Sequence, residues 1–250
     1  MMQNEPSIDI RLSDEEIDFL WDAIRTSIEE QEGTDWRDNT AGNASRSKLI
    51  DKDDWFFETT FKKLTEKMFY GDWKEEPLPE FKLTEFWVNL QKKHDFVFLH
   101  HHGGCLFSFV IFVKIPTHWK EQHVKPKDEF QNENVASDFQ FVWSEKDIEG
   151  CMTRNFSLSS EDEGRMLFFP ATLLHQVYPF YECEEERITI SGNIDFYDPN
   201  ESDRPNRPKI QEIPVGEYEA KEEILKIMEN SVRITKEQLK WMKKERGKEE

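Results

Sequence analysis

A run of three histidines is the feature of this sequence with the clearest chemical meaning. His100, His101 and His102 precede two glycines, and His175 lies far downstream. Since side chains two apart on a β-strand point to the same face, His100 and His102 would share one face and His101 the other. A third imidazole from a distant strand would complete a facial set of three nitrogen ligands with open coordination positions. Adjacent histidines also occur by accident on surface strands, so the triplet alone leaves metal binding open.

Polar residues alternate with apolar ones along a later segment. Arg187, Thr189, Ser191 and Asn193 are separated by two isoleucines and a glycine. Such alternation is typical of a strand with one solvated face. If that face instead points into a barrel, the Arg187 guanidinium and the neighbouring hydroxyls would hold a carboxylate. Both interpretations are consistent with the pattern.

The spacing around the distant histidine resembles part of the cupin signature. Gly164, Pro170 and His175 follow the pattern Gly-x5-Pro-x4-His. Thr172 and Pro179 occupy positions where cupins usually have glycine and asparagine, and no glutamate follows the histidine pair. The spacing therefore predicts a double-stranded β-helix whose cupin site is incomplete.

The elements that would position these residues form three regions. Ser13 and Glu16 have capping-box spacing and begin an expected helix over about residues 14–32, and a second helix is expected over about 52–69. Segments rich in β-branched and aromatic residues then predict strands over 81–90, 96–102, 105–115, 139–143, 165–169 and 187–196. The polar stretch 117–137 is expected to be a loop over the site, with His118 and His123 solvated.

We therefore expect a mainly β fold with flanking helices and a double-stranded β-helix (jelly-roll) core. Residues 1–80 would be N-terminal helical support, 81–198 the catalytic core, and 199–250 a linker followed by two C-terminal helices. The proline-rich composition of residues 199–208 predicts the linker. The C-terminal helices are the expected place for any contact between subunits.

Composition and charge narrow the class of protein. The net charge of −19 argues against nucleic acid or an anionic membrane as the main partner. Three scattered cysteines are not a disulfide framework and fit a reducing compartment. The acidic N-terminus has no apolar segment of a signal peptide, and the longest apolar run is too short to span a bilayer. These features predict a cytoplasmic protein.

Together these pieces resemble the 2-oxoglutarate/Fe(II)-dependent oxygenases found in marine phages and bacteria. The resemblance extends over about residues 81–196. It is carried by FWVNLQ at 86–91, LHHH at 99–102, SFVIFVKIP at 108–116, GRMLFFP at 164–170, HQV at 175–177 and ERITISGNI at 186–194.

The resemblance implies a specific site and reaction. Iron would be held by His100, His102 and His175, with no catalytic side chain beyond these ligands. The 5-carboxylate of 2-oxoglutarate would pair with Arg187, helped by Thr189 or Ser191. With O2, and with ascorbate as reductant, the enzyme would form succinate and CO2 and hydroxylate a small-molecule or protein substrate. A phage-encoded protein would act in the host cytoplasm.

One departure from the wider superfamily concerns the metal. His102 stands where the common two-histidine, one-carboxylate triad has aspartate. Three-histidine sets also hold catalytic zinc, so iron and zinc both stay open. A cupin-like metal protein that does not use 2-oxoglutarate, and a non-catalytic binding module on the same fold, are the alternatives. Arg187 favours the oxygenase, since neither alternative requires a buried arginine there.

Overall fold

A computed structural model describes residues 7–30, 42, 44–65, 80–123, 134–144 and 150–197. The chain divides into two compact units, Met1–Pro199 and Asn200–Glu250. The second unit lies outside the described residues, as do the predicted linker and the predicted C-terminal helices. The proposed domain boundaries stay predictions.

The first helix begins where the sequence predicts. Helix α1 spans Asp14–Glu30, and the predicted residues beyond it are not described. The capping box is formed, because Glu16 N donates to Ser13 Oγ at 3.3 Å and Ser13 N donates to the Glu16 carboxylate at 2.7 Å. Leu20 and Ile24 are buried by this helix, whereas Ile28 is 49% exposed. The apolar stripe therefore ends one turn earlier than its spacing suggests.

The second helical region is less regular than predicted. A 3₁₀ turn at Lys52–Asp54 leads into helix, with a π-helical turn at Phe57–Phe61 and helical residues up to 65. The Asp51 carboxylate accepts hydrogen bonds from the backbone N–H groups of Phe56 and Phe57, each at 2.8 Å. Phe56 and Phe61 are fully buried, so this segment contributes aromatic rings to the core.

Ten strands form two antiparallel sheets among the described residues. The strands are β1 (Ile8–Arg11), β2 (Ser45–Lys48), β3 (Phe81–Gln91), β4 (Val97–His100), β5 (Phe107–Lys114), β6 (Phe139–Trp143), β7 (Met152–Phe156), β8 (Arg165–Pro170), β9 (Leu174–Val177) and β10 (Arg187–Phe196). The major sheet has the order β1-β8-β5-β10-β3-β2, and the minor sheet β4-β9-β6-β7. A short helix, α2 (Trp119–Gln122), lies in the stretch predicted as loop. Strands β1, β2, β7 and β9 were not predicted.

The major sheet is covered on both faces. One face packs against α1 and the helical segment after Asp51. The other face packs against the minor sheet through a second apolar cluster that includes Phe112, Phe141 and Phe169. Strand β5 between them is buried along nearly its whole length, as its continuous apolar sequence predicts. The mainly β fold with flanking helices and a double-stranded β-helix core is confirmed.

Candidate metal and carboxylate site

The three histidines singled out by spacing lie together in the structure. One ring nitrogen from each of His100, His102 and His175 lies within 4.8 Å of the others. His100 on β4 is directly opposite His175 on β9, and their ring centroids are 4.2 Å apart. The His102 ring is 5.1 Å from His100 and 5.2 Å from His175. This cluster has the size and the donor set to hold one metal ion.

The strand that delivers the histidine pair differs from the prediction. Strand β4 ends at His100, and its pairing with β9 is irregular between Val97 and His100. Phe98 and Leu99 in this strand are exposed, at 63% and 45%. His102 lies beyond the strand end and is fixed by its backbone N–H, which donates to the Ala171 carbonyl at 2.9 Å. Gly104 then takes a positive φ of 86°, which suits glycine in the turn into β5.

His101 is not part of the cluster among the described residues. Its Nδ1 is buried and has no hydrogen-bond partner there. That His101 differs in role from its two neighbours stays a prediction.

Backbone carbonyl groups set the tautomers of two imidazoles. His100 Nδ1 is 2.7 Å from the Phe98 carbonyl, and His175 Nδ1 is 2.9 Å from the Leu173 carbonyl. Because a carbonyl only accepts, Nδ1 carries the proton in each ring and leaves the Nε2 lone pair available for a metal. Second-shell partners of this kind usually orient histidine ligands.

The electrostatic environment keeps the cluster neutral. Burial is the main cause that lowers the pKa values of His100 and His175, and it lowers that of His102 to about 3. The neighbouring imidazoles and the positive charge of Arg46 act in the same direction on His100 and His102. The imidazoles are therefore unprotonated near neutral pH, which is the form that binds metal.

Facing the cluster, strands β3 and β10 present a polar surface. Thr189 is directly opposite Asn89, and Ser191 is opposite Trp87. Asn89 Nδ2 donates to Thr189 Oγ1 at 3.2 Å and to Ser191 Oγ at 3.1 Å. The Trp87 indole N–H donates to Asn89 Oδ1 at 3.0 Å. This ladder fixes the hydroxyls that the sequence placed on the same face as Arg187.

Arg187 is completely buried at one end of that polar surface. Its Nη2 donates to the Ser137 carbonyl at 3.1 Å and to the Ser137 hydroxyl, and its guanidinium carbon is 4.9 Å from the Phe180 ring centroid. Nε and Nη1 have no hydrogen-bond partner in the part of the chain that the structure describes. Burial lowers the Arg187 pKa to about 10, so the group stays charged at neutral pH. A buried cation with unsatisfied donors is what an anionic ligand would complete.

A buried carboxylate accompanies this arginine. Asp138 is 1% exposed, and burial raises its pKa, while His123 and the charge of Arg187 oppose the increase. His123 Nε2 is 2.9 Å from Asp138 Oδ1. The expectation that His123 is solvated is therefore wrong, since its side chain is only 17% exposed. Asp138 is 15 residues from His123 in the sequence, and no sequence pattern marks the two residues as partners.

One cavity joins the histidine cluster to the arginine. Its wall includes all six residues predicted from the sequence: His100, His102, His175, Arg187, Thr189 and Ser191. It also includes Arg46, Trp87, Asn89 and Gln91, none of which the sequence reading assigned to the site. Trp87, Asn89 and Gln91 alternate along β3, and that spacing was a usable signal. Arg46 lies on β2, a strand that was not predicted.

Comparison with known proteins finds a family that is similar to the segment holding this site. Residues 85–193 match a family model described as "Putative 2OG-Fe(II) oxygenase". This segment is therefore similar to the members of that family. It holds all six predicted site residues, but it covers fewer than half of the 250 residues in the chain. A search of curated proteins finds no match.

Solved structures of 2-oxoglutarate oxygenases are similar at low sequence identity. A viral collagen prolyl hydroxylase from Paramecium Bursaria Chlorella virus-1 is 15% identical, with a TM-score of 0.46 over 76% of this chain and 96% of that one. A prolyl-4-hydroxylase from Pseudomonas putida is 12% identical, with a TM-score of 0.48 over 78% and 95%. The epimerase SnoN, in complex with Fe3+ and alpha ketoglutarate, is 14% identical, with a TM-score of 0.48 over 85% and 90%. Scores this low say nothing about the substrate of this chain.

Two further expectations concern membrane-spanning helices and the cysteines. No helix among the described residues has the length and apolarity needed to cross a membrane. Cys105, Cys151 and Cys183 form no disulfide bond among the described residues. Cys105 is partly exposed, and its Sγ lies 3.9 Å from the His102 carbonyl oxygen.

Proposed function

We propose that this protein is an Fe(II)- and 2-oxoglutarate-dependent dioxygenase that hydroxylates a C–H bond of its substrate and releases succinate and CO2. The family match over residues 85–193 supports the class of enzyme. The observation that carries the proposal is the sharing of one cavity by a three-histidine cluster and a buried arginine with unsatisfied donors. A dianion that chelates a metal at one end needs a cation at the other.

The residues present fit both of the groups that this function requires. Neutral imidazoles with free Nε2 lone pairs suit Fe(II) or another borderline divalent ion. The unpartnered Nε and Nη1 of Arg187 suit a carboxylate, and Thr189 is close enough in register to add a hydroxyl. Iron bound with 2-oxoglutarate would supply the activation of O2, with ascorbate keeping the metal reduced.

Each wall of the cavity has a separate task in this proposal. His100, His102 and His175 hold the metal, and Arg187 orients the cosubstrate by its 5-carboxylate. Thr189 and Ser191, fixed by Asn89, add hydrogen bonds along the polar strand face. Phe112, Phe139 and Phe169 are nearly fully buried beside them and exclude water, which strengthens the charge pairing at Arg187.

The third histidine changes the charge of the site. Three neutral imidazoles leave the full +2 charge of Fe(II), whereas a carboxylate ligand would reduce it to +1. Of the two negative charges of 2-oxoglutarate, the one on the metal-binding carboxylate would leave the metal centre at +1, and the one on the distal carboxylate would be compensated by Arg187. The complex would therefore keep one more positive charge than it would with a carboxylate side chain as the third metal ligand.

The test is whether 2-oxoglutarate binds and is consumed in a metal-dependent way. Metal-stripped protein would be reloaded with Fe(II) or Zn(II), and 2-oxoglutarate would be titrated anaerobically while the metal-to-ligand charge-transfer band of the iron protein is followed. We expect saturable binding, and succinate formation on admitting air and ascorbate with Fe(II) only. Iron protein that binds no 2-oxoglutarate would favour the cupin-like alternative. Equal turnover with Zn(II) would exclude the redox chemistry.

A further inference from the structure

One buried amide in the cavity wall has a donor that the protein does not use. Gln91 is the last residue of β3, is 1% exposed and lines the cavity. Its Nε2 has no hydrogen-bond partner in the part of the chain that the structure describes. A buried donor without an acceptor is costly, because it has lost its hydrogen bonds to water and gained none in exchange. A ligand in the cavity could supply that acceptor.

The neighbouring amide on the same strand face is fully used by the protein. Asn89 lies two residues before Gln91, and both side chains line the cavity. Asn89 Nδ2 donates to the hydroxyls of Thr189 and Ser191. Its Oδ1 accepts from the indole N–H of Trp87. Contacts within the protein therefore explain the amide of Asn89 and leave that of Gln91 unexplained.

A second buried glutamine shows what a structural role requires. Gln140 on β6 is 6% exposed and is not among the described residues that line the cavity. Its Nε2 donates to Asn155 Oδ1 at 2.6 Å, and its Oε1 accepts from Gln176 Nε2 and from the Tyr178 hydroxyl. Both ends of that amide have partners, as is usual for a buried polar side chain. Gln91 does not fit this pattern.

The amide of Gln91 lies beside the buried arginine. The pairing of β3 with β10 places Gln91 directly opposite Arg187, and Cβ atoms of such pairs are about 4.5–5.5 Å apart. Arg187 Nε and Nη1 also have no partner among the described residues. Donors from two adjacent strands thus line the same end of the cavity. A carboxylate, whose two oxygens have about four lone-pair positions, can accept from all of them.

We propose that Gln91 is a second cosubstrate-binding residue, whose amide N–H donates to the distal carboxylate of 2-oxoglutarate alongside Arg187. The inference rests on the proposed function. The carboxylate is then held from two strands, by a charged donor on β10 and a neutral donor on β3. The neutral donor adds a hydrogen bond without adding charge, so the single guanidinium still matches the single carboxylate. Gln91 therefore contributes to the preference for 2-oxo acids that end in a carboxylate.

The test compares two 2-oxo acids of the same chain length. 2-Oxoglutarate and 2-oxopentanoate have the same metal-binding group, but only 2-oxoglutarate has a distal carboxylate. Each would be titrated anaerobically into full-length protein loaded with Fe(II), and the charge-transfer band would be followed. Gln91→Met keeps the length of the side chain and removes the donor. We expect it to weaken 2-oxoglutarate binding about tenfold or more, and to change 2-oxopentanoate binding by less than about twofold.

A second variant and a matched control separate binding from folding. Gln91→Glu has the size of the native residue but places a carboxylate opposite Arg187, so it should weaken 2-oxoglutarate binding more than Gln91→Met does. Gln140→Met makes the same change in the buried glutamine outside the cavity. It removes hydrogen bonds that the protein uses, so it should lower stability to urea and change 2-oxoglutarate affinity by less than about twofold. Gln91→Met removes no such bond and should lower stability less than Gln140→Met.

Two results would overturn the inference while the proposed function stands. One is wild-type affinity for 2-oxoglutarate in Gln91→Glu or in folded Gln91→Met. The other is an equal loss of affinity for both 2-oxo acids in Gln91→Met, which would show that Gln91 only supports the fold. If the wild type itself binds no 2-oxoglutarate, the proposed function fails and the inference fails with it.

Discussion

The two ends of the cavity are built in different ways. At the arginine end, Arg187 is the first residue of a ten-residue strand, is fully buried, and is fixed by two hydrogen bonds to Ser137. At the histidine end, His100 is the last residue of a short strand and His102 lies outside any strand. The guanidinium that would bind the carboxylate is thus fixed before ligand binds, whereas His102 is held by its backbone hydrogen bond to Ala171.

Because of this difference, the two ends of the cavity should contribute to ligand binding in different ways. A buried, fixed guanidinium loses little entropy when it binds a carboxylate, so it contributes mainly affinity and orientation. Imidazoles at a strand end are ordered in part by the metal, whose binding stabilises the folded site. Substitutions at the two ends should therefore separate metal binding from cosubstrate binding.

The largest effect is expected at the histidine end. His100→Ala or His175→Ala removes one of three neutral ligands, and loss of second-shell partners alone typically costs about 10–100-fold in metal affinity. We expect metal-dependent consumption of 2-oxoglutarate to fall by more than about a hundredfold, measured as succinate formed per protein. His101→Ala is the matched control and should keep most of the activity. Equal loss in all three variants would contradict the assignment of ligands.

At the opposite end, Arg187→Ala should separate the two functions. Removing one partner of a buried charged pair costs about 3–5 kcal/mol, which is on the order of a hundredfold or more in affinity. We expect the anaerobic dissociation constant for 2-oxoglutarate to rise by that amount while Fe(II) affinity, measured by competition with a chelator, is kept. Arg187→Lys retains the charge and should restore part of the affinity. Unchanged 2-oxoglutarate binding in Arg187→Ala would remove the anchor from the proposal.

A smaller effect is expected from the residue that holds the anchor. Ser137 has a φ of 72°, which is unusual for a non-glycine residue, and its hydroxyl and carbonyl both accept from Arg187. Ser137→Ala removes only the hydroxyl, and a hydrogen bond to a charged group contributes about 1.5–3 kcal/mol. We expect the dissociation constant of 2-oxoglutarate to rise about tenfold with little change in turnover at saturation.

Thr117→Val is the matched control for this prediction. Thr117 Oγ1 is 3.2 Å from Ser137 Oγ and does not touch the arginine in the described contacts. It should therefore change 2-oxoglutarate affinity less than Ser137→Ala does. If Ser137→Ala lowers the turnover number and leaves the affinity unchanged, Ser137 does not act by positioning Arg187.

The arginine end was also the easier end to predict from sequence. The bounds of β10 agree with the prediction, and the alternation of Arg187, Thr189 and Ser191 correctly places all three in the cavity wall. The alternation survives because the register of β10 with β3 is unbroken from Arg187 to Asn193. The pairing of β10 with β5 shifts register between Ile188 and Thr189, so β3 is the strand that keeps the three side chains on one face.

At the histidine end, the sequence predicted the metal ligands from a strand that ends earlier than expected. The two-residue spacing of His100 and His102 predicted that they share one face of a strand, but the strand ends at His100. His102 reaches the cluster through its backbone bond to Ala171, a contact over a long sequence separation. Arg46 was missed because β2 is a four-residue polar strand, so no apolar period marks it. Its pairing with β3 is a tertiary contact that short-range patterns do not encode.

The smallest effect we predict is the contribution of His102 to the pH dependence of stability. Burial lowers the His102 pKa from 6.5 to about 3, with the charges of His100 and Arg46 as further causes. Between these values the unfolded chain binds a proton that the folded protein does not, so stability falls as the pH falls below about 6.5. At about pH 5 this lowers the free energy of unfolding of the metal-free protein by on the order of 1–2 kcal/mol, since each pKa unit corresponds to about 1.4 kcal/mol.

Urea unfolding of the metal-free protein at about pH 7 and pH 5 would measure the loss of stability. His102→Gln should reduce it, whereas His118→Gln, outside the cavity, should not. An identical loss in wild type and His102→Gln would show that His102 is not held neutral in the folded protein.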